Sequence, residues 1–310
     1  MKVLHVEKVI SDKDMKDFQN TFVERNQINT ILDEDADVFT KDGRLLLRFR
    51  KKKIDNKLSN EFFDNTYDFT RKNTSKNRGS TSGSTTKNIN ENKPVMSAIL
   101  GYFDKWAPNH KADFKRLNMK YPVEVRETMF SAQNPDKFKK IVPFIQRINT
   151  LYKQLIPENF KKQNKKAKQT EFKIPKTAFT TITTNVNFQT SIHTDKGDDA
   201  EGFGNLSVIE KGRYKGAETC LPQYGVGVNV REGDILFMDV HEWHGNLPIE
   251  KIDDDAIRMS VVCYLRKNVW ARTKGKPKSF KEKHLKTLKN IQRKAKKNKQ
   301  TKKKGKKGKK

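Results

Sequence analysis

REGDILFMDVHEWHGN, residues 231–246, decides how this 310-residue chain is to be read. A Gly-Asp turn at Gly233 and Asp234 opens the stretch, the apolar run ILFM follows, and His241 and His244 close it. A short apolar run bounded by turn residues is the pattern of a buried strand. Only six histidines occur in the chain, so two of them at one strand end are candidates for a metal or a catalytic role. Upstream, SIHTDKGD (191–198) places His193 and Asp195 one residue apart. Residues two apart on an extended chain point the same way, so this pair can offer two ligands from one side. Alone it would suit a solvated polar turn equally well.

Downstream, fourteen residues past His244, RMSVVCYL supplies Arg258 and Ser260 on one face of the next β-run. Two histidines and one carboxylate, with other positions open, is the donor set that suits non-haem Fe(II) oxygenases. A dicarboxylate co-substrate such as 2-oxoglutarate needs a buried cation for its distal carboxylate. Arginine meets that need best, because its planar fork binds carboxylate through two parallel hydrogen bonds. An inward arginine among VVCYL would otherwise be a buried charge without a partner, which is costly. On residue chemistry alone, His241 and His244 remain equal candidates for the third ligand.

From Ala178 onward the chain is a succession of short β-runs, AFTTITTNVNFQTSIHTD, GNLSVIE, YGVGVNV, DILFMDVHEW and RMSVVCYLR, separated by turn residues. That pattern predicts an antiparallel sandwich or barrel. Ahead of it, KVLHVEKVI and GRLLLRFRKKK read as strands. Ser11 and Asp14 have capping-box spacing before Met15, Phe18 and Phe22. A helix is expected from Pro135 to near Pro157, with Phe138, Ile141, Val142, Ile145, Ile148, Leu151, Tyr152 and Leu155 on one stripe and Pro143 as a possible kink. Residues 73–92 hold no large apolar side chain except Ile89 and read as a flexible loop.

These pieces resemble the 2-oxoglutarate/Fe(II) dioxygenase superfamily and, within it, the TET/JBP family. The likeness rests on GYFDKW, VRETMF, TAFTTITTNVN, HTDKGD, the run from GFGNLSVIE to HEWHGNLPIE, and RMSVVCYLR, over roughly residues 95–266. The resemblance implies an α+β protein whose core is a double-stranded β-helix (jelly-roll), with flanking N-terminal helices and a basic, largely disordered C-terminal tail. It divides the chain into an N-terminal extension (1–72), a flexible loop (73–93), the dioxygenase domain (94–268) and the tail (269–310). It also implies that His193, Asp195 and His244 hold Fe(II), leaving His241 outside the ligand set. Arg258 and Ser260 would bind 2-oxoglutarate, and O₂ would be the oxidant. The implied reaction is hydroxylation of the 5-methyl group of thymine or 5-methylcytosine in DNA. The target base must leave the stack to reach a buried iron, and Asp198 is a candidate contact to it. Asp198 beside Gly197 also suits an ordinary turn. A protein hydroxylase, or an inactive nucleic-acid-binding module, would be the competing interpretations.

Composition points to the same partner. The net charge is +29, yet residues 266–310 hold 22 Lys or Arg against Glu282 alone, so the tail carries 22 − 1 = +21 and the body +8. A lysine-rich tail binds phosphate backbones by releasing counterions. Within it Ser279 and Glu282 suit a capping box, Phe280, His284, Leu288 and Ile291 share a helical face, and disorder is expected past Lys294. Cys220 and Cys263 argue against a disulfide framework and read as small core residues. No apolar run approaches the ~18 residues of a membrane span, no signal peptide is read at the N-terminus, and the protein is expected to be intracellular, nuclear or at the site of DNA if its source is eukaryotic or viral. Arg126 in VRETMF is expected to meet a carboxylate or a phosphate.

Overall fold

The computed structural model describes residues 1–75, 81–83, 95–120 and 122–307, so the loop expected over 73–93 lies largely outside the described residues. The chain opens with β1 (Lys2–Val6), α1 (Asp12–Asp17), β2 (Thr30–Leu32), β3 (Ala36–Thr40) and β4 (Leu45–Arg50). Ser11 caps α1 as its spacing predicts, its Oγ accepting from the Asp14 amide at 3.2 Å. The helix ends at Asp17, before Phe22, which is 41% exposed.

α2 (Asn56–Lys72) has no counterpart in the sequence expectations. Asp55 caps it by accepting from the Lys57 amide at 2.7 Å. Its buried face alternates Phe62 and Phe63 with Thr66 and Thr70, and those threonines dilute the apolar stripe. Both hydroxyls donate back to the carbonyls four residues earlier, so they are buried with partners.

β5 (Thr74–Ser75), β6 (Val95–Phe103), α3 (Pro108–Arg116), β7 (Arg126–Glu127) and α4 (Met129–Gln133) come next. α5 (Pro135–Leu155) then matches the expected helix, burying Ile141, Phe144, Ile145, Ile148, Leu151 and Tyr152, and α6 (Pro157–Ala167) follows it. The β-rich half contains β8 (Thr181–Val186), β9 (Gly204–Lys211), β10 (Tyr214–Gly216), β11 (Thr219–Leu221), β12 (Val226–Val228), β13 (Ile235–Met238), β14 (Gly245–Asn246), β15 (Ile249–Lys251) and β16 (Ile257–Tyr264). The chain finishes with α7 (Lys267–Thr273) and α8 (Lys278–Lys307).

Ten strands form one sheet in the order β1-β3-β4-β13-β9-β16-β8-β6-β5, with β7 on β6. A second sheet runs β14-β11-β12-β2, and β10 pairs with β15. Strands from residues 1–72 therefore hydrogen-bond into both of the larger sheets. Period-2 alternation sorts side chains between the two faces of the large sheet. On β16, Met259, Val261 and Cys263 join the core beneath α2, α4, α5 and α6, while Arg258, Ser260, Val262 and Tyr264 line a cavity on the other face. β13 divides likewise, Ile235 and Phe237 facing the helices and Leu236 and Met238 facing the second sheet. The result is a mixed α/β architecture built around one large sheet. No described helix is long and apolar enough to cross a membrane.

The basic tail begins as packed structure. On α8, His284, Leu288, Ile291 and Ala295 are buried, and Leu288 and Ile291 pack with Trp106 and Phe114. The His284 ring bonds the Val125 carbonyl at 2.7 Å. The expected helical stripe is therefore present, and α8 continues to Lys307, with its side chains described only as far as Ala295. A truncation after residue 277 strips apolar cover from Trp106 and Phe114, and each lost large side chain costs about 2–4 kcal/mol. Removing only 296–310 deletes ten lysines and no acid. The short truncation should leave the melting temperature nearly unchanged and flatten the salt dependence of binding to a polyanion, whereas the long one should lower the melting temperature by well over ~5 °C. Equal melting temperatures for the two truncations would contradict the docking of α8.

Candidate metal centre

His193, Asp195 and His244 come together, with one ligand atom from each lying within 4.8 Å of the others. Nε2 of His193 stands 3.6 Å from one Asp195 oxygen, and Nε2 of His244 stands 3.9 Å from the other. These separations suit three donors converging on one ion. Each imidazole is oriented by its own backbone, since Nδ1 of His193 faces the Ser191 carbonyl at 2.7 Å and Nδ1 of His244 faces that of Glu242 at 2.9 Å. A carbonyl can only accept, so each Nδ1 carries the proton and each Nε2 lone pair is left for a metal.

Strand pairing explains how residues 49 to 51 positions apart converge. His193 and His244 exchange both main-chain hydrogen bonds at 2.9 Å, forming an isolated antiparallel bridge, and the Asp195 amide donates to the Val240 carbonyl. The His193–Asp195 pair thus sits on an extended loop after β8 rather than at the end of a regular strand. Gly245, just past the last histidine, has no room for a side chain, because a Cβ there would lie 2.9 Å from Val23 and 3.1 Å from the Thr190 carbonyl. The loop between β13 and β14 is tethered by Arg44, which pairs with Asp239 at 2.6 Å and Glu242 at 2.5 Å.

His241 is outside the cluster. Its ring nitrogens lie 3.2 and 3.3 Å from the carbonyls of Asp195 and Asp199, bracing the loop that carries Asp195. The choice between the two histidines, open on residue chemistry, is therefore made by which one the bridge turns inward.

The same cavity, of about 200 Å³, contains Arg258 and Ser260. Arg258 is only 4% exposed, and its Nε has no hydrogen-bond partner among the described residues. Burial pushes its guanidinium below the ordinary arginine value. Glu210, the carboxylate on the neighbouring strand, is already engaged with Arg231 at 2.7 and 2.9 Å. Asn185, paired across from Ser260, donates to the Ser260 hydroxyl at 3.4 Å and has an unpartnered Oδ1. A buried cation with an unpartnered N–H beside a hydroxyl and an amide suits a carboxylate ligand. The two-imidazole, one-carboxylate set suits Fe(II), with coordination positions to spare for small ligands.

Asp198 lines the cavity next to Arg266, with which it forms a backbone bridge. Burial first, and the Asp195 carboxylate second, hold its carboxyl well above the usual range, despite the Arg266 charge. Arg266 is anchored by Asp104 at 2.5 Å and its guanidinium covers Gly197, where a Cβ would lie 2.3 Å from Nη1. Asn185, Tyr264 and Arg266 were not singled out from sequence. Continuing the alternation of Arg258 and Ser260 along RMSVVCYLR would have pointed to Tyr264 and Arg266. Cys220 and Cys263 are buried and free, as expected. Trp243 packs into a small apolar cluster, and Trp270 lies between the ammonium groups of Lys166 and Lys274.

Residues 114–267 match the Tet_JBP family, the oxygenase domain of the 2OGFeDO superfamily. The bifunctional helicase and thymine dioxygenase JBP2 of Leishmania braziliensis is 33% identical over 177 residues, 57% of this chain and 15% of that protein. Thymine dioxygenase JBP1 of Trypanosoma brucei brucei is 33% identical over 174 residues, 55% of this chain and 19% of that protein. The chain thus matches less than a fifth of either relative. Among solved structures, NgTET1 in complex with 5mC DNA superposes with a TM-score of 0.52 at 14% identity, covering 86% of this chain and 94% of that one, a likeness of fold. Over residues 114–267, about half of its length, the chain is thus similar to the Tet_JBP family of oxygenase domains.

Proposed function

We propose that this protein is an Fe(II)- and 2-oxoglutarate-dependent dioxygenase that hydroxylates the 5-methyl group of a flipped pyrimidine, thymine or 5-methylcytosine, in DNA. The observation that carries the proposal is the pairing, in one cavity, of the His193–Asp195–His244 cluster with the buried guanidinium of Arg258, whose Nε has no partner among the described residues. We read the large and small sheets that enclose this cavity as the two walls of a double-stranded β-helix, within a dioxygenase domain spanning 94–268. Residues 1–72 add strands to both walls, and 269–310 add a basic extension.

The division of labour follows from the geometry. His193 and His244 present Nε2, and Asp195 a carboxylate oxygen, to Fe(II). Arg258 and Ser260 receive the distal carboxylate of 2-oxoglutarate, which fixes the end of the co-substrate away from the metal. Bound iron, 2-oxoglutarate and O₂ together supply the oxidation that places oxygen in a C–H bond, releasing succinate and CO₂. The protein positions these groups and keeps water out, since the floor of the cavity is formed by Leu206, Met238, Val240 and Val262. Asp198 and Arg266 offer the polar contacts suited to the edge of a base. Asp198, whose carboxyl is held above its ordinary range by burial and by the Asp195 charge, offers a polar contact open to thymine and cytosine alike.

The relatives support DNA as substrate, two of them being thymine dioxygenases and the structural neighbour being complexed with 5mC DNA. The test is to incubate the purified protein with Fe(II), 2-oxoglutarate and DNA, then digest to nucleosides for mass spectrometry. Hydroxymethyluracil or hydroxymethylcytosine is expected, and whichever appears names the base. No oxidised base from either thymine-containing or methylated DNA, with succinate released on a peptide instead, would replace this reading by a protein hydroxylase.

A further inference from the structure

A second cavity, of about 580 Å³ against about 200 Å³ at the metal centre, lies between β6, β7, α3, α4 and α8. It contains two polar groups that the oxygenase reading leaves idle. His110, on α3, is only 9% exposed. The Gln292 amide contacts its Nε2 at 2.6 Å, which leaves the proton on Nδ1, and that buried donor has no partner among the described residues. Burial, helped by the nearby charge of Arg126, lowers its pKa, so the ring is a neutral donor near pH 7. A buried N–H without an acceptor is costly, and a ligand oxygen would satisfy it.

Arg126, on β7, is the second idle group. Nε donates to the Lys105 carbonyl at 2.8 Å and Nη1 to that of Glu127 at 3.2 Å, so its fork is engaged by neutral oxygens and, among the described residues, by no carboxylate ion pair. Lys289 and Arg293 bring two more cations from α8, against which Glu127 is the one lining acid among the described residues. Glu127 offsets this only loosely, standing 3.9 Å from Lys289. Phe69, Ile99 and Met129 supply apolar lining to the same cavity. The cavity thus combines an excess of positive charge, a buried donor awaiting an acceptor and apolar lining, at a size well beyond a simple anion.

We propose that this cavity binds a nucleotide through its phosphate, with the phosphate oxygens on Arg126, His110 Nδ1–H and the α8 cations and the base against the apolar lining. The ligand chemistry is common to a free nucleotide and to a nucleotide within a DNA strand. The proposal stands apart from the oxygenase reading, because a binding measurement tests it without turnover.

Isothermal titration of the full chain with thymidine 5′-monophosphate, thymidine, inorganic phosphate and a short DNA duplex is the experiment. The monophosphate should bind at least about tenfold more tightly than thymidine, and Arg126→Gln should weaken it by a similar factor. Lys289→Glu combined with Arg293→Glu, two exposed positions that leave the core untouched, should act in the same direction and carries the test if Arg126→Gln melts early. A loss confined to the monophosphate assigns the site to free nucleotide, whereas a parallel loss for the duplex, with mutual competition, assigns it to the strand. Equal affinity for thymidine and its monophosphate, or unchanged monophosphate and duplex affinities in the folded variants, would overturn the proposal.

Discussion

His193→Ala should lower the proposed DNA-base hydroxylation by about a thousandfold or more, because a bound metal's contribution of several kcal/mol is lost with one of the three proposed protein ligands. Fe(II) affinity, measured anaerobically by titration, should fall together with the rate. The fold should survive, since the hydrogen bonds that place residue 193 run from its main-chain amide and carbonyl to those of His244. A melting temperature within a few degrees of the parent, with the rate abolished, is therefore the expected pair of results. His241→Ala is the contrasting variant: its ring braces the Asp195 loop from outside the cluster, so its effect should be the ~10–100-fold typical of groups that orient a ligand. If His241→Ala were as damaging as His193→Ala while His244→Ala were mild, the ligand assignment would be reversed.

Arg258→Met should raise the KM for 2-oxoglutarate about a hundredfold or more, the cost of truncating one member of a buried charge pair being ~2–5 kcal/mol. Stability should move the other way. Without co-substrate, Arg258 is a buried guanidinium with an unpartnered Nε, and an apolar side chain of similar length removes that penalty. The variant should thus melt at or above the parent in the absence of 2-oxoglutarate and lose the stabilisation that the co-substrate confers on the parent. Arg258→Lys should recover little, since an ammonium cannot present two parallel donors. An unchanged KM in Arg258→Met would remove the distal carboxylate from this position.

Much of this was legible in the order of residues because the relevant signals are local. The apolar ILFM run, the turn at Gly233 and Asp234 and the alternation in RMSVVCYL each depend on neighbours within a few positions, and each became the strand expected. α2 was missed for a local reason too: Thr66 and Thr70 occupy its buried face and satisfy themselves by bonding back along the helix, so the stripe lacks contrast. The docking of α8 was beyond local reading. The face Phe280–His284–Leu288–Ile291 announces that something must cover it, but only the folded chain supplies Trp106, Phe114 and Val125 as the cover.

By itself, the sequence determined that this protein would be strand-rich in its second half, helix-rich ahead of it, and basic at its end, and its residue chemistry named His193, Asp195, Arg258 and Ser260, with either His241 or His244, as chemistry in search of a site. Tertiary structure decided that these five share one cavity, that His244 rather than His241 turns toward Asp195, and that Arg126 and His110 meet at a second cavity. The reason is physical. Periodicity and residue chemistry are properties of a few neighbouring residues, whereas the antiparallel bridge between His193 and His244, and the packing of α8 over α3, bring together segments some 50 to 180 residues apart. Such pairings are selected by the burial and hydrogen bonding of the whole chain.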